Sequence, residues 1–378
     1  MTPACWLLTI ENVKTWDAAI IGGGIIGLSL ALEFRKHRLT VAVIDKTEPG
    51  REASAAAGGM IAHSDPHTSE QIIDAAMASA ELYPEYVHEI EDESGEDIDL
   101  RSQGTISFSP ANTNFPCPGP RPISIDELAK LEPNVSPRED GWYLPEISVD
   151  VRALMQGLGK ACKHRAVHFA VDAAAVEAVI GKNRVTAVRT EKSLHAAGVV
   201  VNCAGAWAGE IAPLRFPVKP VKGHMLSLVS HQAVAGIEPT REEKPLVQHV
   251  IRNPGIVYVV PRTDGRHIVG STLEDAGFDK RVDPDVIQRL HQAAANLVPE
   301  LGEARMLEAW TGLRPTSPDK LPLLGETSIR GYFAATGHYR DGIMLAPITA
   351  KIMSELVRGE TPSVDLSLFS PERFSEVR

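Results

Sequence analysis

Three glycines spaced G-x-G-x-x-G, Gly22, Gly24 and Gly27, constrain this chain more than any other feature. They lie between an apolar run, Ala18 to Ile21, that reads as a buried strand, and a segment, Ile25 to Phe34, with the apolar spacing of a helix. A second apolar run, Thr40 to Ile44, ends on Asp45, about twenty residues downstream, where the ribose-binding acid of a dinucleotide-binding unit falls. Each glycine has its own task. Gly22 allows the tight turn, Gly24 lets backbone approach a pyrophosphate, and Gly27 lets the helix pack on the strand. The helix start at Ile25 and Ile26 then offers N–H groups and the positive end of a dipole to the phosphates. Asp45 accepts from ribose hydroxyls and would repel a 2'-phosphate, so NADP is disfavoured while NAD and FAD both remain.

The length, 378 residues, suggests two or three domains, and a 43% hydrophobic, 23% charged composition is that of a soluble globular protein. A net charge of -11 argues against nucleic acid or an anionic membrane as partner. It also makes an arginine inside an apolar segment informative, because an anionic substrate needs a local positive charge. Cys5, Cys117, Cys162 and Cys203 are scattered without metal-ligand or C-x-x-C spacing, and they read as reduced thiols of a cytoplasmic protein with no metal site. No apolar run reaches the length of a membrane span. The first fifteen residues read as an extension, since no basic segment precedes the apolar Cys5 to Leu8.

Lys46 to Met60 is dense in small residues, which leaves backbone exposed to whatever packs on it. A close-packed helix start and a cofactor-covering segment both fit. Ser69 to Glu93 has the period of a long amphipathic helix, Ser124 to Leu131 that of a short capped one, and Val149 to Lys163 and Asp283 to Val298 follow as helices. Thr105 to Phe108, Ala166 to Ala170, Ala175 to Ile180, Arg184 to Thr190 and the apolar run ending near Gly205 read as strands. Trp142 and Tyr143 read as core aromatics. Pro217 to Val229 reads as a strand in which His224 is a satisfied core histidine and Lys219 and Lys222 are structural or surface charges. Gly255 to Arg262 and His267 to Gly270 form a hairpin.

Arg314 stands between Leu313 and Pro315 in an apolar turn. A buried guanidinium stays charged and must be paired, either by a protein acid or by a ligand carboxylate, and its planar fork suits the second. Finally, Tyr332 to Ala335 reads as a strand, Gly337 to Gly342 as a glycine-flanked loop and Ile343 to Val357 as a helix whose N-terminus can face an atom that becomes negative.

Taken together, these segments resemble the FAD-dependent amine oxidases of the D-amino acid oxidase type, and within them the glycine oxidases of thiazole formation most closely. The resemblance is carried by Ile20 to Gly27, Asp45, Ser54 to Gly58 with Ala62-His63, Ala204-Gly-Ala-Trp207, Trp310-x-Gly-Leu-Arg-Pro315 and Gly337-His-x-Arg-x-Gly342. It implies non-covalent FAD rather than NAD, since no cysteine lies near Ser317 to Leu324, where related enzymes attach the flavin. FAD contacts are implied at Gly22, Gly24, Ile25, Ile26, Gly27, Asp45, Lys46, Glu52, Ala53, Ser54, Ala57, Gly58, Gly59, Met60, Val176 and Gly205. The final loop, Gly337, His338, Tyr339, Arg340, Asp341, Gly342 and Ile343, would add contacts mostly through backbone. Arg314 and Tyr258 would hold the substrate carboxylate, with Arg340 beside them.

The implied fold is α/β, with a Rossmann-like FAD-binding domain (16–100, 147–215 and 307–378) and a mixed-sheet α+β substrate domain (101–146 and 216–306). The implied reaction is oxidative deamination of glycine, sarcosine or a small D-amino acid by O2, yielding a 2-oxo acid such as glyoxylate, ammonia and hydrogen peroxide. A cytoplasmic homo-oligomer, a tetramer, is implied as well. Leu273 and Gly59 stand where glycine oxidases carry methionines, which leaves the preferred amine open. A dehydrogenase passing electrons to a carrier is the alternative on the same scaffold. A flavin-holding subunit without chemistry is the alternative of another class, and it would have no use for a carboxylate clamp.

Overall fold

The computed structural model describes residues 14–136, 140–171, 173–230 and 245–374; the apolar run Cys5 to Leu8 lies outside them. The first strand, Thr15–Ile21, pairs in parallel with Val41–Ile44 on one side and Leu194–Asn202 on the other. His168–Ala170 and Tyr332–Thr336 extend the parallel order outward, and Ala175–Gly181, Arg184–Thr190 and Leu323–Glu326 add antiparallel edges, making eight strands. Alternation decides which side chains go where. Ala18, Ile20, Val41 and Val43 face the helices Ile25–Lys36, Ile73–Ser94, Val151–His164 and Ala346–Val357, whereas Ala19, Ile21, Ala42 and Ile44 face the opposite cluster with Val188, Phe216 and Tyr332. A sheet covered on both faces explains why these strands read as unbroken apolar runs.

A second eight-stranded sheet has the order Arg305–Thr316, Lys219–Val229, Arg266–Gly270, Val257–Pro261, Val250–Asn253, Thr105–Ser107, Gly141–Leu144, Arg121–Ile123. All neighbours are antiparallel except Val250–Asn253 with Thr105–Ser107. The helix Pro284–Leu297 covers it through Val286, Leu290, Ala294 and Leu297. The α/β class with a mixed second sheet is therefore as expected.

Three local expectations change. Arg314 belongs to a twelve-residue strand, not a turn, and that strand pairs with Lys219–Val229 along its length, so the chain leaves the mixed sheet at Thr316 rather than at 307. Pro315 is accommodated because the strand is at the sheet edge. The final helix begins at Ala346, not Ile343, because Pro347 has no N–H to donate to the Ile343 carbonyl and Ala346 takes it instead. Ile343 and Met344 thus form a turn, and the long helix secures it: Tyr83 Oη donates to the Ile343 carbonyl and Ser79 Oγ to that of Met344, both at 2.6 Å.

Gly27 is required by packing. A Cβ there would lie 2.0 Å from the Gly22 carbonyl oxygen. Gly27→Ala should therefore lower unfolding stability by about 1–3 kcal/mol, as overpacking does, measured as a drop in the urea midpoint; an unchanged midpoint would contradict this packing.

Candidate functional site

The parallel strands end at a shared edge, with Ile21 opposite both Ile44 and Asn202. Asn202, fully buried, fixes the exit turn by donating to the Ala208 carbonyl (3.1 Å) and accepting from the Ala204 N–H (3.1 Å). A cavity of about 810 Å³ opens at this edge and is closed on its other side by the mixed sheet. Glycines expose backbone at its floor. A Cβ at Gly22 would strike the Cys203 carbonyl at 2.4 Å, one at Gly24 would meet only Ser54 Oγ at 3.2 Å, and one at Gly205 would meet nothing within 4 Å.

Asp45 is oriented by the turn, accepting from the Gly23 N–H at 2.7 Å and the Thr47 N–H at 3.0 Å, which leaves further lone pairs for a ligand. The helix start is less open than expected, because the Ile25 N–H donates to Ser54 Oγ at 2.9 Å. Most of the anticipated cofactor positions line the cavity: Lys46, Glu52, Ala53, Ala57, Gly58, Gly59, Met60, Gly205, and the final loop from His338 to Ile343. Val176 does not. It is 45% exposed, and its neighbours Ala174 and Ala175 line the cavity instead. Gly27 and Gly337 stand behind the wall, Gly337 with a φ of +76° in the turn that launches the loop.

On the mixed-sheet side, Arg314 occupies a seat made by a glycine. A Cβ at Gly223, on the paired strand, would fall 2.1 Å from Nη1 and 2.6 Å from Nη2. The guanidinium donates to the Thr272 carbonyl (3.1 Å) and Ser271 Oγ (2.8 Å), both uncharged, and no ion-pair partner for it occurs among the described residues. Burial pulls the Arg314 pKa below its ordinary value, with the neighbouring Tyr258 opposing. An anion would resolve this burial without a counter-charge. The Tyr258 ring lies between Gly58 and Gly270, at which Cβ atoms would come within 2.9 and 2.7 Å of it, and its hydroxyl donates to Met225 Sδ at 3.3 Å. The Tyr339 N–H donates to the Pro315 carbonyl at 2.7 Å, which fastens the final loop beside Arg314. Within that loop, Arg340 faces Asp65 at 3.9 Å, and Asp65 also holds Arg252 at 3.0 Å.

His224 is a core residue: Glu274 Oε1 lies 2.8 Å from its Nδ1, and its Nε2 accepts from the Asp283 N–H at 3.0 Å. Sequence reading also missed residues. Arg262 is fully buried and donates to the Gly58 carbonyl at 2.9 Å, a contact between distant segments that leaves no local signature. Asp65 and Ser271, also without a sequence signal, line the cavity, as does Trp207 of the Ala-Gly-Ala-Trp motif. Gly223 did carry a signal, since a glycine inside a strand marks close approach of another group.

A model of the DAO family, described as FAD dependent oxidoreductase, matches residues 17–356. The chain belongs to this family. It is 31% identical to a glycine oxidase of Geobacillus kaustophilus over 95% of this chain and 97% of that protein. It is 35% identical to the bifunctional protein ThiO/ThiG of a Synechocystis species over 95% of this chain but 54% of the relative, so it spans about half the length of such relatives. The crystal structure of the Geobacillus kaustophilus glycine oxidase superposes with a TM-score of 0.87 at 29% identity, covering 95% of this chain and 99% of that one. As in the rest of the family, the cofactor is FAD. The glycine-walled cavity, with its oriented carboxylate at Asp45 and about 810 Å³ of space, fits such a dinucleotide.

Two titratable groups of the loop respond to burial. His338 is pulled down to about 3, so it is neutral near pH 7, with its Nε2 3.2 Å from Thr349 Oγ1. Asp341 is pushed up to about 7 by burial, with Arg340 opposing and Asp65 reinforcing. A carboxyl protonated in the folded chain but ionised in the unfolded one makes stability fall as pH rises from 3.8 to about 7. Asp341→Asn should therefore gain stability relative to wild type across that window, seen as urea midpoints that diverge between acidic and mildly alkaline pH. Parallel midpoints would show that this carboxyl is not buried as described.

Proposed function

We propose that the chain catalyses FAD-dependent oxidation of glycine or another small α-amino acid by O2, and the observation that carries this is the buried Arg314 guanidinium with uncharged partners only. Arg314 would take the substrate carboxylate through two parallel hydrogen bonds, and the Tyr258 hydroxyl would add a third. When bound, FAD supplies a two-electron acceptor for the hydride leaving the substrate Cα, and O2 restores its oxidised form with release of hydrogen peroxide. The resulting imine is hydrolysed to the 2-oxo acid, glyoxylate from glycine, and ammonia.

The principal contribution of the chain's own residues is orientation: a carboxylate fixed at Arg314 leaves the Cα few ways to point. No protein base is invoked, and the ionisable groups bearing on Arg314 are Tyr258, Arg340 and Tyr339, with no carboxylate or imidazole among them. Arg340, tied to Asp65, would add positive potential beside the carboxylate. The cofactor would lie along Gly22 to Ile26, Asp45, Lys46, Glu52 to Met60 and Gly205, with His338 to Ile343 at its flavin end. The turn Gly342 to Met344, held ahead of the last helix, would aim that helix's positive end at the flavin.

Support for glycine as substrate comes from the likeness to the Geobacillus kaustophilus glycine oxidase over nearly the whole of both chains. The reading extends to supply of an imine or glyoxylate for thiazole synthesis, to a homotetramer and to the cytoplasm. The free thiols of Cys117, Cys162 and Cys203 suit that compartment, and no helix among the described residues is long and apolar enough to cross a membrane.

Glycine, sarcosine and D-alanine added separately under anaerobic conditions test the reading: at least one should bleach the flavin absorbance, and readmitted O2 should restore it with stoichiometric peroxide. If none bleaches it, the reading fails. Bleaching that only an artificial dye reverses would favour the dehydrogenase. Arg314→Ala should lower kcat/KM for glycine by about a hundredfold or more, chiefly through KM, while affecting a plain amine far less. Equal losses on both substrates would remove the anchor role.

A further inference from the structure

The segment Ser271–Asp283 leaves the mixed sheet beside Arg314 and crosses to the nucleotide-binding side. Its start is pinned by the Arg314 bonds to Ser271 and Thr272, and then by paired backbone bonds of 2.9 Å between Glu274 and Lys222. Beyond Glu274 it forms no helix or long strand, yet it reaches the rim of the cavity twice. Phe278 stacks on Trp207 with ring centroids 5.4 Å apart, and Lys280 Nζ lies 2.9 Å from Glu52 Oε2. Trp207 and Glu52 both line the cavity, and the Lys46 ammonium lies 3.2 Å from the Trp207 ring centre and 3.8 Å from Glu52 Oε1. The Thr311 hydroxyl, donating to the Lys280 carbonyl at 2.7 Å, sets the height of the crossing.

Such an arrangement is unusual for a surface loop. Phe278 remains 45% exposed and Leu273 56% exposed, so the segment gains little by burying its own apolar groups. Its tertiary contacts instead join two rims that a bound dinucleotide would have to pass between. The Trp207–Lys46–Glu52 corner adjoins Asp45, the acid that takes the ribose, which places the crossing over the adenosine end.

We propose that Ser271–Asp283 is a strap that retains FAD, closed by the Phe278–Trp207 stack and the Lys280–Glu52 ion pair. FAD enters and leaves when these two contacts part, and the strap's root at Ser271 and Thr272 keeps it in place while they do. The proposal rests on FAD occupying this cavity and is independent of which amine is oxidised.

The test uses the holoprotein with no amine present. After dilution, FAD release is followed by recovery of flavin fluorescence. Phe278→Ala and Lys280→Ala should each speed release by about threefold to tenfold, the range of one aromatic or partly exposed ionic contact. Added salt should speed release from wild type and from Phe278→Ala, but have little effect on Lys280→Ala, whose ion pair is already gone. Lys280→Gln repeats the second variant with less change of bulk, and far-ultraviolet circular dichroism confirms that each variant is folded. Release rates within twofold of wild type in all three variants would overturn the strap and leave the amine-oxidation reading untouched. Failure of every amine to bleach the flavin, with release still accelerated, would do the reverse.

Discussion

Everything at the site depends on the parallel pairing of Thr15–Ile21 with Leu194–Asn202, which brings two turns from distant parts of the chain to one edge. The register sets Ile21 against Asn202, so the glycine turn and the Cys203-to-Gly205 turn leave the sheet side by side. They are close enough that Gly22 has no room for a side chain against the Cys203 carbonyl. Neither turn alone makes a floor for a dinucleotide. Together they present backbone, and backbone is what a pyrophosphate can approach. Tyr332–Thr336, paired to the same central strand, then delivers the final loop to this edge as well.

The opposite wall obeys a different constraint, the cost of burying charge. In a chain of net charge -11, Arg314 and Arg340 line the cavity, and Arg252 and Arg262 are buried without lining it. Arg252 and Arg340 share Asp65, and Arg262 serves the Gly58 carbonyl. Arg314 has only neutral acceptors, and Gly223 has given up its side chain to seat it. An ion buried without a counter-ion is expensive unless a ligand supplies one. What sets Arg314 apart is the lack of a nearby carboxylate: Arg252 faces Asp65 and Arg262 feels Asp150 and Asp99, whereas Tyr258, Arg340 and Tyr339 bear on Arg314, which is the setting a substrate carboxylate would suit.

The sequence was most legible where function is written locally. Gly22, Gly24, Gly27 and Asp45 belong to one strand–turn–helix–strand unit, and the position of Arg314 between Leu313 and Pro315 already marks it as a charge in apolar surroundings. Those readings needed no knowledge of tertiary contacts. Legibility failed where a role depends on a partner far away in the chain. Val176 shows the limit of a single match: a strand's phase cannot be set from it, and the neighbouring Ala174 and Ala175 line the cavity where Val176 does not. Arg262 and Asp65 gave no sign, since Gly58 and Arg252 reach them only after folding. The start of the last helix was misplaced by three residues because apolar periodicity runs on through a turn that Pro347 interrupts. The Ser271–Asp283 crossing was invisible for a related reason: its contacts, Trp207 and Glu52, lie in the other half of the molecule.

Glycolate, which has the carboxylate of glycine with a hydroxyl in place of the amine, probes the seat of Arg314 most directly. Titrated into oxidised holoprotein, it should perturb the flavin absorbance of wild type with a saturable curve. Gly223→Ala, which puts a Cβ where the guanidinium lies, should keep its FAD yet bind glycolate at least about tenfold more weakly. Wild-type affinity in Gly223→Ala would contradict the carboxylate anchor.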